Sequence, residues 1–315
     1  MQTVNHALVL DNTKYLNSIL ELDVKNQRCV VEPGIVLDEL NRQLKPHGLW
    51  FPVDVSTSSR ATIGGMTANN SCGGRSIRYG IMRDNVHAID AFLADGSHTH
   101  FGAYDPTKLP SSGRLSKVLP DLLGLGATYK DDILSSFPKV LRRVGGYNID
   151  ALIPDAMALR PYGKPGDGIN LAHLLVGSEG TLAYSTAITL KLSPLPARKV
   201  MGLCHFPTFY KAMDAAQHLV TLDPVAVELI DNTMLDLARS IALFRPTVEK
   251  YIKGQPAAIL VVEFAENEEA ENTRRLTALE VMMADLGFGW KKQAGFTGGT
   301  VILTEENDQA RISEM

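Results

Sequence analysis

Residues 61–74 combine glycines with small hydroxyl and amide side chains in one short stretch. They read Ala-Thr-Ile-Gly-Gly-Met-Thr-Ala-Asn-Asn-Ser-Cys-Gly-Gly, and Tyr79 and Gly80 follow closely. Because glycine lets backbone N–H groups approach a bulky anion, and Thr, Asn and Ser add short polar contacts, this composition favours a large planar cofactor that carries phosphate. A glycine-rich turn between a strand and a helix is the alternative interpretation.

A second glycine-rich segment follows further along the chain. Residues 177–183 read Gly-Ser-Glu-Gly-Thr-Leu-Ala and set one carboxylate between two glycines, just before an apolar run with β-branched residues. The Glu179 carboxylate can accept hydrogen bonds from hydroxyl groups, and Gly180 permits close contact with a ligand. The alternative for Glu179 is an acid at a helix N-terminus, next to the positive end of the helix dipole. Residues 61–74 and 177–183 are called the first motif and the second motif.

The two motifs, in this order, resemble the flavin-binding half of the vanillyl-alcohol oxidase type of flavoprotein. Matching strings are Val-Val-Glu-Pro-Gly at 30–34, Phe-Pro-Val-Asp at 51–54 and Gly-Gly-Tyr-Asn at 145–148. The similarity is to the branch of D-2-hydroxyacid dehydrogenases that includes D-lactate, glycolate and D-2-hydroxyglutarate dehydrogenases, and above all to large members with an iron–sulfur module. The resemblance implies FAD as cofactor and a small D-2-hydroxy acid as hydride donor. It also implies an electron acceptor, which is an iron–sulfur module, a quinone or an electron-transfer protein.

The resemblance, taken residue by residue, also implies which side chains line FAD. The backbone N–H groups of residues 64–74 are expected to stabilise the negative charge that a reduced flavin gathers at the pyrimidine end of its ring. The second motif is expected beside the adenosine and ribityl portions. The predicted FAD-binding residues are Pro52, Asp54, Ser56, Thr62, Gly64, Gly65, Asn69, Asn70, Ser71, Cys72, Tyr79, Glu179, Gly180, Thr181 and Ala183.

Other segments of the family have no match in these 315 residues. Family members carry an Arg-Gly-Gly-Gly-Thr type loop for the FAD pyrophosphate ahead of the matching region, and a His-Gly-Asp-Gly-Asn type metal and catalytic segment behind it. The string Gly-Asp-Gly-Ile-Asn at 166–170 lacks flanking histidines and precedes the second motif, so we interpret it as a loop. The chain is therefore expected to be an internal fragment of a larger enzyme, inactive alone, with neither a catalytic base nor a metal site.

Two further functions compete with oxidation of a D-2-hydroxy acid. One is a different flavin enzyme of the same fold, of the ether-lipid synthase or sugar-alcohol oxidase type. The other is an inactive fragment whose surfaces serve assembly. Nicotinamide chemistry is not expected, because Gly-Leu-Gly at 124–126 continues as Ala-Thr-Tyr and does not fit the dinucleotide fingerprint.

Composition excludes several other classes of protein. Basic residues are dispersed and the net charge is −4, so no nucleic-acid partner is expected. Apolar runs such as residues 257–262 fall far short of the roughly 20 residues of a membrane helix. The N-terminal residues do not form a secretory signal, which favours a cytoplasmic location, with attachment to the inner membrane face through a partner as the alternative.

The cysteines and two pairs of basic residues have structural interpretations. Cys29, Cys72 and Cys204 form no Cys-x-x-Cys pair, so neither a disulfide framework nor an iron–sulfur site is expected. Cys29 and Cys204 are predicted to be buried thiols, and Cys72 a small residue packed near the flavin. The paired histidines at 98 and 100 fit an exposed strand, with a metal site as the alternative. The arginines at 142 and 143 fit a solvated helix end, with contact to a substrate carboxylate as the alternative.

Hydrophobic periodicity predicts an α+β protein. The resemblance implies the second half of a two-subdomain FAD-binding domain over residues 1–196, followed by a partial ferredoxin-like, substrate-binding cap domain over residues 197–315. In the first domain we predict strands at 6–10, 29–32, 86–93, 98–101 and 186–192, and helices at 14–20, 36–44, 113–123 and 129–136. In the second we predict strands at 199–206, 225–230 and 257–264, helices at 208–220, 232–242 and 268–286, and the absence of the final strand or strands.

Overall fold

The computed structural model describes residues 9–105, 113–153, 168–290, 292–293 and 296–315. The chain divides into two compact units, with unit 1 ending at Leu195 and unit 2 beginning at Pro196. Both units mix helices with antiparallel sheet, as predicted for an α+β protein.

Unit 1 is built around a five-stranded antiparallel sheet with the order β1-β2-β6-β4-β5. Strand β6, which follows the second motif, pairs with β2 on one side and β4 on the other, so Ile188 lies between Val31 and Ile89. These three side chains are fully buried. The strands of unit 1 are β1 (Ile19–Asp23), β2 (Arg28–Val31), β3 (Leu49–Trp50), β4 (Val86–Phe92), β5 (His98–Phe101), β6 (Tyr184–Lys191) and β7 (Ser193–Pro194).

The helices of unit 1 are mostly short. Helix α1 turns Leu37, Leu40 and Leu44 into the core, and Gly48 closes the turn behind it in the left-handed conformation (φ 67°). The helices are α1 (Leu37–Leu44), α2 (Ile63–Asn69), α3 (Ser76–Tyr79), α4 (Gly113–Thr128), α5 (Lys130–Ser136) and α6 (Ala172–Leu175).

Most elements predicted for this unit are confirmed, with boundaries shifted by a few residues. The helix predicted over residues 14–20 is wrong, because β1 begins at Ile19 and pairs with β2. The Leu16 carbonyl accepts the amide of Gly34, which follows β2, at 2.6 Å. The strand predicted at 6–10 falls largely on residues 1–8, outside the described residues, and Val9 and Leu10 are irregular.

Two glycines of α4 allow a matched test of packing in unit 1. A Cβ at Gly126 would lie 2.4 Å from the Leu152 carbonyl oxygen, whereas a Cβ at Gly124 would meet no atom within 4 Å. We expect Gly126→Ala to destabilise the protein by about 1–3 kcal/mol through overpacking, and Gly124→Ala to stabilise it by up to about 1 kcal/mol through helix propensity. Urea unfolding of both variants measures the change in unfolding free energy. Equal changes in the two variants would contradict the close packing of Gly126 against Leu152.

Unit 2 contains a four-stranded antiparallel sheet with the order β13-β8-β10-β9. Strand β13 pairs with β8, with Val301 opposite Leu203. The prediction that the sheet lacks its final strand is therefore wrong. The missed strand is a short β-branched run behind two glycines, which is a weak signal. The strands are β8 (Val200–Phe206), β9 (Ala226–Asp231), β10 (Ala258–Phe264), β11 (Lys292–Gln293), β12 (Phe296–Thr297) and β13 (Gly299–Leu303).

Helices cover both faces of this sheet. Phe206 and Val262 pack with Leu279 on one face, and Leu203 and Ile259 belong to the cluster on the other. All seven residues of β8 and of β10 are buried, which is why these strands read as continuous apolar runs rather than alternating ones. The helices are α7 (Phe209–Leu219), α8 (Asn232–Ser240), α9 (Arg245–Tyr251), α10 (Glu269–Asp285) and α11 (Glu306–Ser313).

His205 is buried in the middle of this sheet as a neutral ring. Its Nδ1 lies 3.0 Å from the Gly299 carbonyl oxygen, and its Nε2 accepts the Lys253 amide at 3.1 Å. A ring that donates through one nitrogen and accepts through the other carries no charge. Burial lowers the pKa of His205, and the Lys253 charge acts in the same direction.

Acidification is therefore expected to weaken unit 2. The folded-state pKa of His205 lies below the unfolded value of about 6.5, so its contribution to stability is present above that pH and is lost as the pH falls through the folded-state pKa. The slope is at most about 1.4 kcal/mol per pH unit. Urea unfolding between pH 7.5 and 5, followed by Trp290 fluorescence in a Trp50→Phe background, measures it. His205→Gln is expected to flatten this dependence, whereas the exposed His218→Gln is not.

Candidate cofactor site

The first half of the first motif is a helix and not an open loop. Thr62 caps α2, since its Oγ1 accepts the Gly65 amide at 3.2 Å. The amides of Ile63 and Gly64 donate to the carbonyls of Ile35 and Pro33 at 2.9 and 2.7 Å. The prediction that backbone N–H groups are presented here by an open loop is therefore wrong for the first turn, because protein acceptors already take these donors.

The two adjacent glycines of α2 have different surroundings. A Cβ at Gly64 would lie 2.6 Å from the Pro33 Cβ and 2.8 Å from the Pro33 carbonyl oxygen. Gly65 is exposed, and a Cβ there would meet only the Thr62 Oγ1, at 3.1 Å. Gly64 therefore serves packing within the protein, whereas Gly65 leaves an open surface on the helix.

Asn70 ends α2 and is completely buried in the left-handed conformation, with φ 54°. Its Oδ1 accepts the Arg83 amide at 3.0 Å, and its Nδ2 donates to the Arg143 carbonyl at 3.4 Å. Asparagine adopts this conformation more readily than most residues. The side chain predicted to line FAD thus connects three parts of unit 1 from the inside.

The second motif binds to the C-terminal end of α2. The Gly177 amide donates to the Thr67 carbonyl at 3.0 Å, and the Glu179 amide donates to the Ala68 carbonyl at 2.8 Å. The last carbonyls of a helix are open to partners outside it, and the Thr67 carbonyl accepts the Asn70 amide as well, at 3.2 Å. Two segments more than a hundred residues apart are thereby joined.

The backbone of the second motif forms a tight left-handed turn. Gly177, Glu179 and Gly180 have φ values of 82°, 52° and 73°. Glu179 follows α6 and precedes β6, so the interpretation as a helix N-terminal acid is wrong. Its left-handed conformation, which is uncommon for a residue with a Cβ, holds the side chain in an exposed position.

The joint between the motifs carries a surface of small and polar residues. The Ser71 hydroxyl donates to the Asn69 Oδ1 at 2.6 Å. A Cβ at Gly180 would meet no atom within 4 Å, so this surface is open. The exposed predicted residues of the two motifs are Gly65, Asn69, Glu179, Gly180 and Thr181, and the half-buried ones are Thr62, Gly64, Ser71, Cys72 and Ala183.

The remaining predicted residues belong to the turns around the first motif. Pro52 is buried, and the half-buried Asp54 accepts the Arg75 amide at 3.1 Å, which ties the chain before α2 to the chain after it. Ser56 is exposed in the turn of residues 56–60. Tyr79 packs edge-on against Trp50, with 5.5 Å between the ring centres.

A buried ion cluster beside the motifs was not predicted. The Arg83 side chain is fully buried, and its Nη1 donates to the Asp150 Oδ2 at 2.9 Å. The Arg143 Nη2 donates to the Asp150 Oδ1 at 2.7 Å. Burial by itself raises the pKa of Asp150, but the two guanidinium charges outweigh it, and the pKa lies below its ordinary value.

Arg143 therefore does not lie at a solvated helix end, and that interpretation is wrong. Residues 138–148 are not helical, and the Arg143 guanidinium lies 4.3 Å from the centre of the Phe137 ring. The neighbouring Arg142 is exposed and donates to the Gly73 carbonyl at 3.0 Å.

The cysteine and histidine predictions have clear outcomes. Cys29 and Cys204 are buried thiols, as predicted, and burial raises the pKa of each to about 12. His98 and His100 are exposed on β5, where the His100 Nδ1 lies 2.8 Å from the Asp90 Oδ1. Within the described ranges, no group of three potential metal-ligating side chains comes together.

A cavity of about 850 Å³ lies in unit 2. It runs between the end of α7 and α10, where Leu222, Ala278 and Met282 line it together with His218 and Arg274. None of the predicted FAD-binding residues lines it.

No helix in the described part of the chain is long and apolar enough to cross a membrane.

Comparisons with known proteins match both ends of the chain to flavoenzyme families. Residues 1–102 match the family described as FAD binding domain, and residues 195–315 match the family described as FAD linked oxidases, C-terminal domain. The chain is 31% identical over 285 residues to a D-2-hydroxyglutarate dehydrogenase of Pseudomonas putida, an alignment that covers 88% of this chain and 27% of that protein. It is 29% identical over 254 residues to the glycolate oxidase subunit GlcD of Bacillus subtilis, covering 79% of this chain and 40% of that protein.

Solved structures support the same fold. An alkyldihydroxyacetonephosphate synthase structure aligns with a TM-score of 0.60 and 16% identity, covering 95% of this chain and 45% of that one. At this identity the likeness shows the fold alone. The chain spans about a quarter of the D-2-hydroxyglutarate dehydrogenases that it matches.

Proposed function

We propose that this chain, which matches an FAD binding domain over residues 1–102 and an FAD-linked oxidase C-terminal domain over residues 195–315, is part of a dehydrogenase that oxidises a small D-2-hydroxy acid. The observation that carries the proposal is the joining of the two motifs at the end of α2, where the Gly177 and Glu179 amides bind helix carbonyls. This joint offers one open surface of small polar residues, which suits a large cofactor.

The residues at this surface fit FAD. The exposed Gly65 and Gly180 leave space where a side chain would otherwise stand, and close backbone approach is what a bulky cofactor requires. The Glu179 carboxylate and the Asn69 amide supply groups that bind hydroxyl groups. The chemistry that bound FAD supplies is acceptance of a hydride from the carbon that bears the substrate hydroxyl group.

The residues of this chain bind and orient the cofactor in this proposal. Glu179 accepts hydrogen bonds from ribose hydroxyl groups, and its left-handed turn keeps the carboxylate outside the protein core. Thr181 stands beside it, with its Oγ1 2.8 Å from the Tyr147 hydroxyl. We assign no catalytic base and no metal ligand to this chain.

The proposed substrate class rests on the relatives, which are a D-2-hydroxyglutarate dehydrogenase and a glycolate oxidase subunit. Because the chain spans 27% of the first of these proteins, we propose that it is part of a larger enzyme. In that enzyme unit 2 belongs to the substrate-binding cap, and the electrons pass to an iron–sulfur module, a quinone or an electron-transfer protein. We propose a cytoplasmic location, with a partner at the inner membrane face as the alternative.

The test uses the protein expressed from the complete open reading frame that contains these residues. We expect bound flavin, and stopped-flow bleaching of its absorbance by D-2-hydroxyglutarate, D-lactate or glycolate, with no bleaching by the L-enantiomers of the chiral acids. The 315 residues alone are expected to bind FAD weakly and to oxidise none of these acids.

The outcomes separate the competing functions. A protein that carries flavin but is bleached by none of the acids would point to the ether-lipid synthase or sugar-alcohol oxidase type. A complete protein that takes up no FAD would support the third function, in which the surfaces of the chain serve assembly. Rapid bleaching by the 315 residues alone would place the catalytic base within this chain.

A further inference from the structure

Residues 142–150, called the bridging segment, contact both motifs. At the first motif, Arg142 donates to the Gly73 carbonyl at 3.0 Å, and the Arg143 carbonyl accepts from the Asn70 side chain. At the second motif, the Tyr147 hydroxyl lies 2.8 Å from the Thr181 Oγ1. The segment therefore joins the two halves of the site by contacts other than the bonds from the Gly177 and Glu179 amides to α2.

Asn148 is the buried centre of the bridging segment and uses both ends of its amide. Its Nδ2 donates to the carbonyls of His173 and Val176, at 3.2 and 2.7 Å. Its Oδ1 accepts from Arg83 and Arg143, at 3.1 and 3.3 Å. Because Val176 immediately precedes the second motif, this side chain fixes the point at which that motif begins.

Arg83 anchors Asn148 to the first motif. The Arg83 amide donates to the Asn70 Oδ1 at 3.0 Å, while its side chain binds Asn148 and Asp150. The packing is tight here, since a Cβ at Gly177 would lie 3.2 Å from the Asn70 Cβ and 3.5 Å from the Asn148 Nδ2. A continuous buried chain of polar contacts thus runs from the end of α2 to the second motif.

We propose that Asn148 is a positioning residue of the cofactor site. It sets the second motif against α2, so that Glu179 and Gly65 belong to one binding surface, and Arg83 with Asp150 holds Asn148 in place. The inference rests on the proposed FAD-binding function. Asn148 is only 1% exposed, so it acts through the turn that it orients and not by touching the ligand.

The test is Asn148→Asp in the protein expressed from the complete open reading frame. The change keeps the shape of the side chain but turns an oxygen toward two carbonyl oxygens, which removes both donated hydrogen bonds. We expect the Gly177 and Glu179 amides to exchange with deuterium at least about tenfold faster, and the dissociation constant for FAD to rise at least about tenfold.

Asn85→Asp is the matched control. Asn85 is equally buried, and its Nδ2 donates to the carbonyls of Tyr79 and Ile81, each at 2.9 Å. The control loses the same number of bonds in the same unit, so a comparable shift in the urea midpoint is expected. The exchange of the Gly177 and Glu179 amides should stay at the wild-type rate. Equal acceleration in both variants would show general loosening and overturn the proposal.

The exchange measurement also separates this inference from the proposed function. A folded Asn148→Asp protein with unchanged exchange at Gly177 and Glu179 overturns the positioning role, whatever its affinity for FAD. A wild-type protein that takes up no FAD overturns the proposed function alone, because amide exchange needs no ligand. If Asn148→Asp does not fold, the same measurements are made on Asn148→Ser, which removes the same two amide donors without adding charge. The same results are expected, and the same results would overturn the proposal.

Discussion

In the protein expressed from the complete open reading frame, replacing Gly65 with valine is expected to weaken FAD binding about a hundredfold while the protein stays folded. Overpacking by a branched side chain costs about 1–3 kcal/mol, and each 1.4 kcal/mol is about tenfold in affinity. At Gly65 we expect the unfavourable free energy to appear in FAD binding and not in folding. Gly65 is exposed, and a Cβ at this position meets only the Thr62 hydroxyl. Valine in place of glycine also does not weaken the helix by its propensity.

Its neighbour supplies the control. In Gly64→Val the side chain would collide with Pro33, so we expect this variant to lose stability rather than affinity alone. Cys29→Ala, which alters a buried thiol in β2, should keep FAD. Flavin fluorescence titration measures affinity, and urea unfolding measures stability. Undiminished FAD binding by a folded Gly65→Val protein would contradict the assignment of the first motif as a cofactor site.

Much of the fold could be predicted because its signals are local. The spacing of Leu37, Leu40 and Leu44 indicates α1 without reference to the rest of the chain. The apolar run of β10 indicates a strand for the same reason. Residues 14–20 were predicted wrongly because the pairing of Ile19 with Val31 outweighs their local preference, and tertiary pairing of this kind is not visible in a short window.

The site was predictable in its residue types but less so in its geometry. Glycines and small polar residues indicate both motifs, but the same composition suits either a loop or the capped start of a helix. In the structure Thr62 caps α2, so the first motif begins as a helix. The left-handed backbone of Glu179 has no sequence signal of the kind that glycine gives. Arg83 and Asp150 are 67 residues apart in sequence, so their pairing follows from the fold and from no local pattern.

Replacing Asp150 with alanine is expected to have the largest effect on stability. Removing one partner of a buried ion pair leaves an uncompensated charge in the interior and costs about 3–5 kcal/mol. The side chains of Arg83, Arg143 and Asp150 are 0%, 12% and 16% exposed, so water cannot replace the lost carboxylate. Urea unfolding at pH 7 measures the loss. Glu39→Ala is the control, because it breaks an exposed pair with Arg42 and such pairs contribute little.

The pH dependence of unfolding tests the electrostatic cause. The folded-state pKa of Asp150 lies below its ordinary value, so the carboxylate stabilises the fold fully above the unfolded pKa of about 3.9. That contribution is lost as the pH falls through the folded-state pKa. Asp150→Asn keeps the shape but cannot titrate, so the difference in unfolding free energy between wild type and this variant should shrink below about pH 4. A difference that stays constant down to pH 2 would mean that packing, and not the charge between Arg83 and Arg143, explains the loss.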